Sequence, residues 1–219
     1  MLGLCAFSGA DKETDPMQYP DKNSIIGYCS RLAISIDPAI LAKEVDSIPA
    51  DNWKGTGGRV GVHSQVNAIF LRGYAPAEGD KPIEDRPVLD ALPYIRYLIY
   101  RLIPARPQRC LLARLKPDAQ VAAHKDMGEY FDRYIRIHFP VVTNPTALML
   151  CGDRAYHMKP GEIWALNNSG ATHAVVNPDK KNHRTHMICD FEPTDALLEL
   201  LSFADKGLGV PAAARRPAS

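Results

Sequence analysis

Residues 109–192 read RCLLARLKPDAQVAAHKDMGEYFDRYIRIHFPVVTNPTALMLCGDRAYHMKPGEIWALNNSGATHAVVNPDKKNHRTHMICDFE. Within them the runs RCLLARL, QVAAHKD, RYIRIHFPVV, ALMLCG, RAYHM, IWAL, THAVVN and HRTHMICDF are divided by KPDA, TNPT, KPGE, NNSG and PDKKN. Each run is short and rich in residues that suit a pleated, half-buried surface, and each divider carries the Pro, Gly, Asn or Asp that reverses a chain. About eight strands at near-regular spacing predict a mainly β fold, a jelly roll or barrel.

On either side of this block the texture changes. SIDPAILAKEVDSIP, from Ser35, predicts a helix opened by Asp37 with Pro38 in its first turn and Ile40, Leu41 and Val45 at helical spacing. RVGVHSQVNAIFLRG, residues 59–73, predicts a strand, and RPVLDALPYIRYLIYRL, residues 86–102, a helix started or interrupted by Pro93. TDALLELLSFA, from Thr194, reads as a capped amphipathic helix. Residues 1–24 and 206–219 lack periodicity and are expected to be flexible, which leaves one domain over 25–205 with its β core at about 109–192.

A chain of 219 residues is long enough for one well-buried domain. Its net charge of +1 gives no bulk field to attract nucleic acid or an acidic membrane, so neither is an expected partner, while oligomeric state is open. Five scattered cysteines without a C-x-x-C pair argue against a disulfide framework or a zinc knuckle and fit a reducing cytoplasm. MLGLCAFSGADKE lacks a basic leader and is too brief for a signal peptide or membrane span.

The polar residues of the β block carry the chemistry. His124 and Asp126, in HKD, are two apart, so on a strand both point the same way, and His173 arrives from a distant run. Two imidazoles and one carboxylate can hold one face of Fe(II) and leave positions open for an oxo-acid and dioxygen. Alternation in RYIRIHFPV puts Ile135, Ile137 and Phe139 on one face and Arg136 and His138 on the other, where they call for an anion or for a structural salt bridge. Arg184 and His186 repeat that pattern 11 residues beyond His173, and the planar fork of Arg184 suits the far carboxylate of a dicarboxylic oxo-acid. Trp164 and Met158 read as core, Asn167 and Asn168 as turn residues that can also face the pocket, and His63, His157 and His183 as surface or hydrogen-bonded histidines. Arg72, Tyr74 and the loop 73–86 form a candidate lid.

Taken in order, RLKPDAQVAAHKD, RIHFPVVTNP, YHMKPGEIWALNN, THAVVN and HRTHMICDF resemble the catalytic core of the aspartyl/asparaginyl β-hydroxylase family, over roughly residues 111–192. The resemblance implies a double-stranded β-helix, cupin-like, with flanking N- and C-terminal helices. It implies an Fe(II)- and 2-oxoglutarate-dependent dioxygenase using O2, with His124, Asp126 and His173 on iron, Arg184 on the distal carboxylate of 2-oxoglutarate, and Arg136 and His138 matching the R-x-H that helps hold the cosubstrate. The animal members lack the metal carboxylate and carry a membrane anchor and helical repeats, so Asp126 aligns this chain with the small bacterial branch that includes free-proline hydroxylases. Where the family often has a hydroxyl residue on the strand before KPDA, this chain has Ala113.

The expected reaction couples oxidative decarboxylation of 2-oxoglutarate, to succinate and carbon dioxide, with hydroxylation of an unactivated C–H, or less often desaturation. A carboxylate at Asp126 disfavours halogenation. The substrate class is a free amino acid, an amino-acid-derived metabolite or a peptide residue. The competing reading is a cupin-like metal-dependent isomerase or ligand-binding protein without oxygenase activity, which needs no 2-oxoglutarate anchor at Arg184.

Overall fold

The structure, a computed structural model, describes residues 19–55, 61–76, 79 and 81–215. Residues 1–18 and 216–219, which belong to the segments expected to be flexible, lie outside the described residues. Asp21 opens a one-turn helix, α1 (Lys22–Ile25), by accepting from the backbone N–H groups of Asn23 and Ser24. Strand β1 (Cys29–Ser35) follows, then α2 (Pro38–Asp46), which Asp37 caps through the N–H groups of Ala39 and Ile40. That is the start expected from the Asp-Pro pair.

Strand β2 spans Val66–Arg72 and is shorter than the run 59–73 that was expected to be extended. Gly61 adopts φ +94° and the N–H of Val66 donates to the carbonyl of His63, so residues 61–65 turn rather than extend. The expected helix at 86–102 divides at its prolines into a 3-10 turn (Pro87–Ala91), α3 (Pro93–Tyr97) and a wide π turn (Leu98–Leu102).

The eight runs of the β block form eight strands: β3 (Pro107–Leu115), β4 (Ala119–His124), β5 (Ile135–Val142), β6 (Leu148–Cys151), β7 (Arg154–Tyr156), β8 (Glu162–Leu166), β9 (His173–Asn177) and β10 (Arg184–Phe191). A short helix, α4 (Glu129–Arg133), joins β4 to β5, and α5 (Asp195–Ser202), capped by Thr194, follows β10. The end of the described chain adds β11 (Val210–Pro211) to β7.

Strands alternate between two sheets. One has the order β1-β8-β5-β10-β3-β2 and the other β11-β7-β6-β9-β4, and among the described residues neighbouring strands in both run antiparallel. Taking β3 to β10 in sequence, the first, third, sixth and eighth strands share one sheet and the second, fourth, fifth and seventh the other. This interleaving is a double-stranded β-helix, a jelly roll, and the chain is mainly β with few helices.

Each strand's two faces have different fates. Ile135, Ile137 and Phe139 of β5 and Met187, Cys189 and Phe191 of β10 point away from the second sheet and bury against Leu41, Val45, Ile95, Leu98, Leu197 and Leu201 of the helices. Side chains such as Phe139 and Phe191 are wholly buried there, each contributing roughly 2–3 kcal/mol of transfer free energy. A second apolar cluster, including Leu115, Val121, Met149, Met158, Trp164 and Val175, fills the space between the sheets. Residues of opposite parity on β3, β5 and β10 face that interior, where the polar site lies.

Candidate metal centre and its cavity

His124 is the last residue of β4 and His173 the first of β9, and the antiparallel register makes them direct partners. Their ring centroids are 4.3 Å apart. Asp126 lies two residues past the strand, where its N–H donates to the carbonyl of Asn168 at 3.0 Å, and its Oδ1 comes within 3.7 Å of His124 Nε2. One donor atom from each of the three residues falls within 4.8 Å of the others.

The ring orientations follow from hydrogen bonds. Nδ1 of His124 is 2.7 Å from the carbonyl of Ala122, and Nδ1 of His173 is 3.3 Å from that of Ala171. A carbonyl only accepts, so each Nδ1 carries the proton and each Nε2 presents a lone pair. Burial, above all, lowers the His173 pKa to about 4, so this imidazole is neutral at neutral pH. For Asp126 burial opposes ionisation, yet Arg136, His173 and the Asn168 amide outweigh it and hold the carboxyl well below its usual range. Two imidazoles and one carboxylate fit a divalent first-row metal with an open face, the donor set characteristic of non-haem Fe(II).

Arg136 and Asp190 steady the carboxylate. Arg136 Nη1 donates to Asp126 Oδ2 at 2.6 Å, while its Nε and Nη2 donate to the two oxygens of Asp190 at 2.8 and 3.0 Å. All three nitrogens of this guanidinium therefore meet protein carboxylates, the salt-bridge reading of R-x-H, although Arg136 also borders the cavity. Asn168 Nδ2 adds a second donor to Asp126 Oδ2 at 3.0 Å.

Arg184 differs. It is buried, and among the described residues its side chain has one polar partner, His186 Nδ1 at 3.0 Å from Nη2, with no carboxylate in ion-pair range. Burial alone pulls its pKa down to about 9. Since Arg184 can only donate, His186 Nδ1 accepts and its proton sits on Nε2; His138 Nδ1, 3.3 Å from the same atom, is then the donor of that contact. The Nε2 atoms of His138 and His186 are buried without partners among the described residues. Arg184, His138, His124 and His173 line one cavity of ≈ 80 Å³ whose other walls include Ala113, Leu166 and Ile188. A buried, uncompensated guanidinium there is a socket for an anion.

The fold brings His124, Asp126, His173, Arg184, Arg136 and His138, the residues singled out from the sequence, to one end of the β-helix interior. Sequence reasoning missed others. Asp190 shares a face of β10 with Arg184 and His186, a period-2 relation readable in HRTHMICD. His63, expected to be a surface or hydrogen-bonded histidine, also lines the cavity, with its ring edge-on to His124 at 5.2 Å. Arg109 lies on the interior face of β3 at the same end as Asp190, whose Oδ2 is 3.9 Å from its Nε. It lines a second cavity of ≈ 200 Å³ with Tyr74, Pro76, Lys81 and Ile83 of the loop singled out as a lid.

The family model for aspartyl/asparaginyl beta-hydroxylase matches residues 88–193, which include every residue of the triad and Arg184. Over those residues the chain is similar to that family, and its fold is a double-stranded β-helix with a His-Asp-His candidate site. Its curated relatives belong to the proline-hydroxylase-like branch. It is 28% identical to L-proline cis-3-hydroxylase 1 of a Streptomyces species over 174 residues, 78% of this chain and 58% of that protein. It is also 28% identical to L-proline cis-4-hydroxylase of Rhizobium meliloti over 109 residues, 49% of this chain and 38% of that protein. The chain thus spans 58% or less of the length of these curated relatives. A crystal structure from Burkholderia pseudomallei described as an oxidoreductase of the 2OG-Fe(II) oxygenase family shares the fold, with TM-score 0.53 and 9% identity over 72% of this chain and 78% of that one.

Proposed function

We propose that the protein is an Fe(II)- and 2-oxoglutarate-dependent dioxygenase that hydroxylates an unactivated C–H of a small amino acid or a close derivative. The observation that carries this reading is the shared cavity: a buried guanidinium without a carboxylate, Arg184, lines the same space as His124 and His173, the two histidines of the two-histidine, one-carboxylate set. When bound, the iron supplies the activation of dioxygen, drawing electrons from decarboxylation of 2-oxoglutarate.

In this reading His124, Asp126 and His173 hold the metal, and Arg184 takes the distal carboxylate of the cosubstrate in a bidentate contact. Such a pairing supplies the counter-charge that Arg184 lacks. His138 and Arg136 border the same cavity and complete its polar wall. Leu166, Val175 and Ile188 exclude water from the reacting end. Ala113 offers no hydroxyl, so the cosubstrate's distal end rests on Arg184 without that contact.

Arg109 is the residue we assign to the substrate. Its guanidinium is buried, makes no hydrogen bond among the described residues, and stacks on Tyr130 and Phe131 beside the second cavity. A small molecule carrying a carboxylate fits that position, and the two curated relatives hydroxylate L-proline, which makes proline and related amino acids the first substrates to try. No helix among the described residues is long and apolar enough to cross a membrane. Five scattered cysteines without a C-x-x-C pair are the ground on which we infer a cytoplasmic enzyme.

The metal-dependent isomerase or ligand-binding alternative has no use for an uncompensated arginine at Arg184 and is not favoured. The test is anaerobic addition of 2-oxoglutarate to the Fe(II)-loaded protein. A visible charge-transfer band of the chelated oxo-acid is expected, followed in air by succinate release with L-proline or a related amino acid. Folded, iron-loaded protein that shows neither band nor succinate would sink the assignment.

A further inference from the structure

We propose that Lys22, from the segment before the family domain, is a positioning residue for the metal carboxylate: acting through Asn168, it fixes which oxygen of Asp126 faces the metal. The inference rests on reading His124, Asp126 and His173 as a metal site.

Lys22 is buried although lysine is rarely so. Its Nζ reaches three oxygens: the main-chain carbonyl of Phe131, that of Tyr134 at 2.6 Å, and Asn168 Oδ1 at 3.4 Å. An ammonium has three donors and no acceptor, so the oxygen of the Asn168 amide must face Lys22 and its NH2 must face the other way. The NH2 group then meets Asp126 Oδ2 at 3.0 Å, the oxygen that Arg136 also holds. With two donors on Oδ2, the oxygen turned towards His124 is Oδ1, at 3.7 Å from Nε2.

The mounting is rigid at both ends. Asn168 grips Asp126 twice, through its side chain and by accepting the Asp126 N–H at its carbonyl. Asn167 Nδ2 donates to Asn23 Oδ1 and to the carbonyl of Gly27, both at 2.8 Å, so the turn containing the two asparagines is clamped to the helix that carries Lys22. A Cβ at Gly170 would sit 2.5 Å from Asn167 Oδ1 and 2.9 Å from Asn23 Oδ1, which shows how closely the two turns approach. Without the ammonium, only the Asp126 carboxylate still favours this orientation of the Asn168 amide, and the side chain loses the anchor at its oxygen.

The experiment is Mn(II) binding by isothermal titration to the metal-free full chain, for the wild type, Lys22→Met, Asn168→Leu and the double variant, with folding checked by circular dichroism. Outer contacts of this kind govern metal affinity by about 10–100-fold. Lys22→Met is expected to weaken Mn(II) binding by about 10-fold, Asn168→Leu by a similar factor, and the double variant no further, because both changes remove one contact chain. Lys22→Gln, too short to reach Asn168 but able to satisfy a carbonyl, is expected to match Lys22→Met and stands in for it if the methionine variant does not fold. Unchanged Mn(II) affinity in Lys22→Met or Lys22→Gln, or losses that multiply in the double variant, would overturn the proposal while leaving the metal site standing. A wild-type chain that binds no Mn(II) overturns both.

Discussion

His124 and His173 are direct register partners on β4 and β9, whereas Asp126 reaches the same point from a turn and is held there by Arg136 at 2.6 Å. The three ligands of the candidate centre are therefore not equivalent to the apo fold. The imidazoles ride on paired strands and each spends one nitrogen on a nearby carbonyl, while Asp126 neutralises a buried arginine and accepts from Asn168.

Asp126→Ala and His173→Ala should both abolish metal binding and turnover, but they should differ in stability. Removing Asp126 leaves Arg136 Nη1 and Asn168 Nδ2 facing an empty space, and although Asp190 still balances the guanidinium, two buried donors left without acceptors cost about 2–4 kcal/mol. Removing His173 costs about 1 kcal/mol, as expected for an ordinary substitution without a buried charge left behind. Urea unfolding of the metal-free variants measures the difference. Equal losses would mean that Asp126 is not the counter-charge of Arg136.

Arg184→Met should move stability and function in opposite directions. The wild-type apo protein buries a guanidinium with no anionic partner among the described residues, so an apolar side chain of similar length is expected to raise stability by about 1–3 kcal/mol. The same change removes a charge-assisted contact to 2-oxoglutarate and should weaken its binding by about 10–100-fold. Thermal unfolding and titration of the charge-transfer band provide the two readouts. A destabilised variant with unchanged 2-oxoglutarate affinity would mean that Arg184 serves the fold alone.

The strands and the ligand set were legible in the sequence because both are written in local patterns. Turn residues mark most of the core-strand boundaries, and THAV and NHRTH place their polar side chains by period-2 alternation, whereas Asp126 of HKD lies beyond the end of β4 and reaches the site from a turn. Asp190 was equally within reach of that rule, since it lies six residues beyond Arg184 on one face of β10. Lys22 was not, because its three partners are more than a hundred residues away and a lone lysine beside Asp21 reads as a solvated charge. His63 was hidden for a related reason. RVGVHSQVNAIF alternates well enough to read as one strand, and only the positive φ of Gly61 and the His63–Val66 turn place the ring over His124.

Arg109→Met should separate substrate from cosubstrate. Arg109 borders the cavity lined by Tyr74, Pro76, Lys81 and Ile83 and is absent from the walls of the cavity that holds Arg184. The variant is expected to raise KM for the amino-acid substrate by about 10-fold or more while leaving the 2-oxoglutarate charge-transfer titration in place. Steady-state succinate release at varied amino acid decides the point. A parallel loss of 2-oxoglutarate affinity would assign Arg109 to the shared Asp190–Arg136 network instead of to the substrate.

Lys22 should leave a signature in the pH dependence of stability. Burial, the largest influence, lowers its pKa from 10.5 to about 8, with the charges of Asp190, Asp132 and Asp126 only partly offsetting it. Between these two values the unfolded chain binds a proton that the folded chain does not. Stability therefore rises with pH across the window from about 8 to 10.5 and is insensitive to this group below and above it. Other groups titrate too, so the measured quantity is the difference between wild type and Lys22→Met, followed by urea unfolding at pH 7.5 and pH 10. That difference is expected to move in favour of the wild type at the higher pH by on the order of 3 kcal/mol. A shift in the opposite direction would show that the folded protein prefers the ammonium, making Asp190, Asp132 and Asp126 the dominant influence and burial the lesser one.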